Sequence, residues 1–355
     1  MNDFQNIRQH RELTPEKQER STTLLLVPQE ICFLLFLFFL GSTTSMRAHT
    51  LSDSIPSPFA TAFRPAKAFL MCDVCGCSGN GGSMGYSTGL DNNFIGLRYI
   101  TQQYRSRDGI FNNSPWVDEN FNTIQAWGRV PVGRRVVVHA MVPYHFHNRT
   151  FADKSDQHLT GMGDMTVMGF YKLLKPADTM ETSGKLRHTL QVGGGIKLPT
   201  GNYDRSNNEG SVNPSFQAGT GSWDYIIGTD YAVTLGNWGA SAMLNYTFKT
   251  ENNEHYQFGN QFNYGIQVFR SFSVPDNVTI TPILGVAGEV YAENEQYGQA
   301  VANTEGDVFF GKWGIEAAYK KWSLGVMGML PVNQNLNNGK VEVKNRLSVY
   351  VNFNI

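Results

Sequence analysis

The feature that most constrains the fold is a two-residue alternation of apolar and polar side chains that recurs from about residue 93 to Ile355. The clearest segment places Val136, Val138 and Ala140 on one face and His139 on the other. Successive side chains of a β-strand point to opposite sides, so this period indicates strands with one apolar and one polar face. Clusters of Asn, Asp, Gly and Pro separate the segments, as turns do in an all-β protein.

Twelve such segments follow one another along the chain. They lie near residues 93–105, 120–131, 134–148, 163–175, 185–199, 222–235, 237–250, 256–270, 277–291, 306–320, 321–332 and 340–355. Tight connections at 131–133, 236 and 320–321 contrast with long polar ones at 106–119, 149–162, 200–221 and 292–305. Bacterial outer-membrane barrels have an even number of strands, short periplasmic turns and long outer loops. The sequence therefore predicts an antiparallel transmembrane β-barrel of about 12 strands; ten or fourteen also fit, because the alternation is weak between residues 171 and 186.

An apolar run, Ile31–Leu40, interrupts the polar N-terminal part of the chain. At about ten residues it is too short to span a hydrocarbon core, which needs roughly 20 helical residues, but it suits the apolar region of a secretory signal peptide. Basic residues precede it and small residues follow it: Arg8, Arg11, Lys17, Arg20 and residues 41–45. We predict a signal peptide at 1–45, a linker or plug at 46–92 and a barrel at 93–355. A short buried core segment is the alternative interpretation of the run.

Composition narrows the classes of function. The net charge of -1, without a concentrated Lys/Arg patch, argues against a nucleic-acid binder. Charged residues make up 17% of the chain and the mean hydropathy is -0.30, as expected where lipid-facing and lumen-facing side chains average out. A soluble β-sandwich would share this composition. Aromatic residues near the predicted strand ends suit two interfacial girdles, or alternatively a soluble β core: Trp127, Tyr144, Tyr171, Trp223, Trp238, Trp313, Tyr319 and Trp322.

Three cysteines, Cys72, Cys75 and Cys77, form a C-x-x-C-x-C cluster before the first predicted strand. In an oxidising compartment an odd trio implies one disulfide and a leftover thiol, a contact with a periplasmic partner, or a metal site. Thiolates at this spacing suit Cu(I) or Zn(II), although Asp73 is the only nearby candidate for a fourth ligand. A structural disulfide or a partner contact is the favoured interpretation, and no other cofactor is expected.

The polar parity of the strands predicts which side chains line the lumen. These candidates are Arg98, His139, His145, His147, Asp164, Lys172, Arg187, Lys197, Asp224, Asp230, Lys312, Glu316, Lys320 and Arg346. They carry both signs of charge, so we expect them to pair across the interior without a preference for anions or cations. The three histidines could chelate a metal, but a polar channel wall is the favoured interpretation.

We find no motif for catalysis. A nucleophile elbow, a phosphate loop and a zinc-protease helix are all missing from the sequence, and the glycines at 161, 163 and 193–195 suit sheet curvature better than phosphate binding. The sequence therefore predicts no catalytic residues and no enzyme.

Several short stretches together resemble the outer-membrane family known as "MetA-pathway of phenol degradation", in its Bacteroidetes form. The stretches are Cys72-Asp-Val-Cys75-Gly-Cys77-Ser78, Gly161-Met-Gly163-Asp164-Met165, Lys197-Leu-Pro-Thr-Gly201 and Gly219-Thr-Gly-Ser-Trp-Asp224. The resemblance implies an outer-membrane barrel, loosely a transporter, with a role in uptake of hydrophobic or aromatic compounds. Ala218 stands where the family often has Pro. No catalytic residue carries over.

Two functions follow as expectations. The first is a channel or transporter for small hydrophobic or aromatic solutes. The second is a non-transporting outer-membrane protein whose cysteines bind metal or a periplasmic partner. In either case the expected partners are outer-membrane lipid and the barrel assembly machinery. The first function adds a small-molecule solute as a partner. Neither function involves nucleic acid.

Overall fold

The computed structural model describes residues 93–107, 114–174, 186–204 and 215–355. The predicted signal peptide, the predicted plug and the three cysteines lie outside these residues. The strands are β1 (Phe94–Arg107), β2 (Trp116–Val132), β3 (Val136–Thr150), β4 (Asp156–Met162), β5 (Met165–Leu174), β6 (Arg187–Leu198), β7 (Asp224–Leu235), β8 (Trp238–Phe248), β9 (Tyr256–Gln257), β10 (Gln261–Arg270), β11 (Phe272–Val274), β12 (Val278–Tyr291), β13 (Asn294–Gln296), β14 (Gln299–Val301), β15 (Gly306–Tyr319), β16 (Trp322–Leu336) and β17 (Val341–Asn354).

The long strands form one antiparallel sheet that closes on itself. Around the ring the order is β1, β2, β3, β5, β6, β7, β8, β10, β12, β15, β16 and β17, and β1 pairs with β17 from Phe94 opposite Asn354 onward. Because β4 and β5 both pair with β3, they share one position in the ring. The result is a closed barrel of 12 strands, which confirms the predicted fold class. The described residues contain no helix long and apolar enough to cross a membrane.

The two faces of the wall differ as the alternation predicts. Outward side chains are largely apolar along the middle of the strands, with Leu97, Ile266 and Leu324 each more than half exposed. Their neighbours in sequence point inward and are buried, among them Arg98 and Gln267. Lipid accommodates the apolar outer surface, since a transmembrane barrel turns its apolar rows outward. The aromatic residues predicted for the girdles are exposed except Trp127, which is buried inside the barrel.

The two ends of the barrel differ in their connections. At the turn end lie the tight connections after β2, β7 and β15, where Gly133, Gly236 and Lys320 have positive φ. At the loop end lie the longer connections, and there β9, β13 and β14 form a small separate sheet. Turns with positive φ match the twist of antiparallel strands, which explains glycine at two of these positions.

Two strands begin earlier than the alternation indicates. β2 begins at Trp116, where the prediction starts at 120, and β4 begins at Asp156, within the predicted loop 149–162. The outward side chains of these extensions are polar, such as Asp118 on β2 and His158 on β4. The outward row of apolar side chains therefore ends at the edge of the apolar band, and the period that marks a lipid-facing strand disappears from the sequence although the strands continue.

Candidate functional site

The interior of the barrel contains two apolar layers. The turn-end layer consists of Phe94, Trp127, Met141, Met168, Phe170, Ile226, Met243, Met327 and Tyr350. The loop-end layer consists of Ile100, Tyr104, Phe121, Phe216, Ala287, Val308, Phe310, Met329, Leu336, Val341 and Val343. A water-filled barrel has a polar interior, whereas aromatic and methionine side chains fill much of this one. The inward side chains are thus both polar and apolar, and the apolar ones are gathered into these two layers.

A polar layer separates the apolar layers along β1, β2 and β17. Arg98 follows Phe94 and precedes Ile100 on the inner face of β1, and its Nη2 donates to Gln125 Oε1 at 2.7 Å. The guanidinium also lies 4.8 Å from the ring centre of Trp127. The cation thus contacts an amide and an aromatic face between the two apolar layers.

A second buried cation, Arg346, lies nearer the loop end. It donates to both oxygens of Glu289, at 2.6 and 2.9 Å, and to the Tyr104 hydroxyl at 2.5 Å. The hydroxyl of Tyr291 donates to Glu289 at 2.5 Å. A bidentate pair of this kind fixes the direction of both side chains. Two tyrosine rings are thereby oriented beside the loop-end layer.

The third charged cluster joins the ends of β5, β6 and β7. Lys197 Nζ lies 2.6 Å from Asp164 Oδ2 and 3.1 Å from Asp224 Oδ2, and it also donates to Thr220 Oγ1. Asp164 accepts backbone N–H groups of Gly201 and Thr220, each at 2.9 Å. The three motifs that carry the family resemblance after the cysteines therefore meet at one buried site.

Close backbone contact explains the glycines of these motifs. A Cβ added at Gly219 would lie 2.5 Å from Asp164 Oδ1, and one added at Gly201 would lie 2.8 Å from the Cα of Gly219. A larger residue at either position would push the carboxylate and the backbone apart. The glycines therefore allow the Lys197 cluster to form.

The cluster holds part of the β6–β7 connection inside the barrel. We call residues 215–222 the inner segment; Phe216 at its start is fully buried. The Phe216 ring centre is 6.0 Å from that of Phe121, and Arg149 Cζ is 4.5 Å from it. The inner segment thus narrows the interior at the loop end, with Phe216 placed against β2 and β3.

Most of the predicted lumen residues lie inside the barrel. The buried ones are Arg98, His139, His145, His147, Asp164, Lys172, Lys197, Asp224, Asp230, Lys312, Glu316 and Arg346. Arg187 is only half-buried, and Lys320 is exposed. Lys320 differs from the prediction because it lies in the tight turn after β15, with its Nζ 4.9 Å from the ring centre of Tyr319. The expected pairing of opposite charges is found at Lys197 and Arg346.

Some interior residues escaped the sequence analysis. Arg149 and Glu289 have the inward parity of β3 and β12, so the same alternation could have identified them. Phe216 and Thr220 belong to a loop, where no period indicates direction.

The histidines form a local polar contact. His145 Nδ1 lies 2.9 Å from Thr123 Oγ1, and the rings of His145 and His147 are 4.7 Å apart. Among the described residues, no three His, Cys, Asp or Glu side chains are arranged to hold a metal ion. Copper or zinc at the cysteines stays a prediction.

The wall is incompletely paired at one place. β4 pairs with β3, and no described strand pairs with its other edge. A groove of about 470 Å³ lies beside that edge, lined by Leu159, Thr160, Asn202 and Ala218 among others. The backbone of β4 is therefore less tied to its surroundings than that of the other long strands.

Comparisons with known proteins agree with this architecture. A family model described as "Putative MetA-pathway of phenol degradation" matches residues 116–336. An outer membrane channel from Pseudomonas putida F1 aligns with a TM-score of 0.56 and 13% identity, over 74% of this chain and 96% of that chain.

Two further solved structures align with lower scores. The beta domain of the Bordetella autotransporter BrkA gives a TM-score of 0.41 and 10% identity, over 75% of this chain and 100% of that chain. A FadL homologue from Pseudomonas aeruginosa gives a TM-score of 0.37 and 11% identity, over 81% of this chain and 99% of that chain. No curated protein gave a significant sequence match.

The family model covers more than half of the chain, and the fold agrees with that of the Pseudomonas putida channel. The chain thus belongs to the "Putative MetA-pathway of phenol degradation" family and is a β-barrel of the outer membrane.

Proposed function

We propose that the protein is a transporter-like channel for small hydrophobic or aromatic molecules. The observation that carries this proposal is the pair of apolar layers inside the barrel. An apolar solute leaves water favourably when it contacts aromatic and aliphatic side chains, whereas a hydrated ion or sugar does not. The apolar layers of the interior therefore favour apolar solutes over hydrophilic ones.

The groove beside β4 supports a route for such solutes. Among the described strands of the wall, β4 has an edge that no other described strand pairs. Displacing this edge breaks fewer backbone hydrogen bonds than opening the wall elsewhere. The interior side chains bind and orient the solute, and the proposal includes no catalytic step.

The predicted plug at 46–92 also belongs to this proposal. If it fills the lumen, deleting residues 72–92 raises the single-channel conductance. An unchanged conductance would contradict the plug and leave the apolar layers as the barrier to ions.

Uptake by cells tests the proposed solute class. The lipopolysaccharide leaflet excludes apolar dyes, so N-phenyl-1-naphthylamine fluorescence reports their entry, while hydrolysis of nitrocefin by a periplasmic β-lactamase reports entry of a polar solute. Cells that express the protein should gain dye uptake without a matching gain in nitrocefin hydrolysis. Equal gains for both solutes, or none for the dye, would contradict the proposal.

A matched pair of variants sharpens the test. Met329 is fully buried in the loop-end layer, whereas Leu173 is exposed on the outer face near the turn end of β5. Met329→Gln conserves volume but makes the layer polar, so it should slow dye uptake severalfold, and Leu173→Gln should not. Gel mobility before and after heating verifies that both barrels are folded.

A further inference from the structure

Positively charged side chains are distributed around the turn end of the barrel. Arg135, Arg270, Lys320 and Lys321 lie in or beside the connections at this end, and we call them the turn-end cations. We propose that the turn-end cations bind the phosphate groups of anionic phospholipids, such as phosphatidylglycerol, in the leaflet that faces the periplasm. Such lipid binding does not depend on the solute that the barrel conducts.

Arg270 is half-buried, whereas the other three turn-end cations are exposed. It ends β10, directly after the outward apolar side chains Ile266 and Val268, and it lies opposite Trp238 in the pairing of β10 with β8. Its Cζ is 4.9 Å from the ring centre of Trp238 and 4.8 Å from that of Phe272, the first residue of β11. The guanidinium therefore lies beside two exposed rings at the edge of the apolar band, and its Nε has no hydrogen-bond partner among the described residues.

The turn after β15 supplies two more contacts between a cation and a ring. Lys320 Nζ is 4.9 Å from the ring centre of Tyr319, and Lys321 Nζ is 5.5 Å from that of Phe353. Both rings are exposed on the outer wall. Aromatic rings at the rim of a transmembrane barrel lie at the level of the lipid headgroups, so these ammonium groups are placed near lipid phosphates.

Arg135 completes the set at the turn after β2. Its Nη1 donates to the hydroxyl of Tyr171, an exposed residue of β5, at 3.3 Å. Within the described part of the chain, no carboxylate forms an ion pair with a turn-end cation. The positive charge at this end is therefore available to an anion from outside the chain.

The loop end has a different distribution of charge. There Arg105 forms an ion pair with Glu342, and Lys344 forms one with Asp118. Exposed carboxylates also lie in the connections of that end, among them Glu251, Glu254 and Glu293. The loop end thus carries both signs of charge, whereas the described outward charges of the turn end are positive. Short turns face the periplasm in bacterial barrels, and an anionic headgroup there accepts charge-assisted hydrogen bonds from guanidinium and ammonium groups.

The lipid preference of the full chain, refolded in phosphatidylcholine vesicles, tests this binding. Electron paramagnetic resonance measures the fraction of a spin-labelled lipid that is immobilised at the protein surface, for phosphatidylglycerol and for phosphatidylcholine labelled at the same acyl position. The wild type should bind the anionic lipid severalfold more tightly than the zwitterionic one. The triple variant Arg270→Gln, Lys320→Gln and Lys321→Gln should lose most of this preference.

A loop-end variant with the same change of net charge is the control. Lys154→Gln, Lys340→Gln and Lys344→Gln together remove three cations from the other end of the barrel, so this variant should keep the preference for phosphatidylglycerol. Gel mobility before and after heating verifies that each barrel is folded. Equal immobilised fractions of the two lipids with the wild type would overturn the proposal. A preference that the turn-end variant keeps, or that both triple variants lose equally, would overturn it as well.

Discussion

At the scale of single residues, the Lys197 cluster shows how buried charge limits substitution. Lys197 separates the carboxylates of Asp164 and Asp224, both fully buried. Lys197→Met leaves two uncompensated carboxylates side by side, and breaking a buried ion pair from one side costs about 3–5 kcal/mol. We expect the free energy of unfolding to fall by that amount in urea titrations of the protein refolded in vesicles.

An exposed ion pair provides the control for this substitution. Lys344 Nζ lies 2.5 Å from Asp118 Oδ1, and both side chains are exposed. Lys344→Met should therefore cost no more than about 1 kcal/mol. Replacing Asp164 by Asn together with Lys197→Met should recover part of the lost stability, because one of the two carboxylates is then neutral. Equal costs for both lysine variants would show that the cluster does not contribute as a buried charge pair.

At the scale of elements, each strand has a lipid-facing row whose middle tolerates charge poorly. Ile266 lies midway along β10 and is 58% exposed. Ile266→Arg should lower the free energy of unfolding by about 2–4 kcal/mol, the cost of arginine on the lipid face near the bilayer midplane. Asn120 lies near the loop end of β2, beyond the apolar band, so Asn120→Arg should lower the free energy of unfolding by only about 0–1 kcal/mol. A similar cost at both sites would contradict the position of the apolar band.

The inner segment is the element that narrows the barrel. Phe216 fills space between Phe121 and Arg149, so Phe216→Ala should widen the passage and raise the single-channel conductance in planar bilayers. Phe151 is the matched control. Its ring centre lies 5.1 Å from Arg149 Cζ, but Phe151 does not belong to the loop-end layer. Phe151→Ala should leave the conductance unchanged. If Phe216→Ala leaves the conductance unchanged, the narrowest point of the passage lies elsewhere.

The elements also show what the sequence could predict. Where one strand face touches lipid, the two-residue period specifies both the strand and its inward side chains. Most of the lumen candidates chosen from this period are therefore buried inside the barrel. Above the apolar band the outward face is polar, so the first residues of β2 and β4 lack the outward apolar row that marks a lipid-facing strand. The inner segment has no period at all, and its inward course depends on contacts with Asp164 that are distant in sequence.

At the scale of the whole molecule, closure determines which parts of the chain are needed. The strand pairings that the structure describes close the barrel within residues 93–355, and β17 joins β16 to β1. We therefore expect residues 93–355 alone to refold in detergent into a barrel whose gel mobility changes on heating. Residues 93–340 should fail, because β1 and β16 would then expose backbone groups to lipid at a cost of several kcal/mol each. The twelve-strand closure is not what holds the molecule together if residues 93–340 fold into a barrel whose gel mobility changes on heating. Failure of residues 93–355 to do so would lead to the same conclusion.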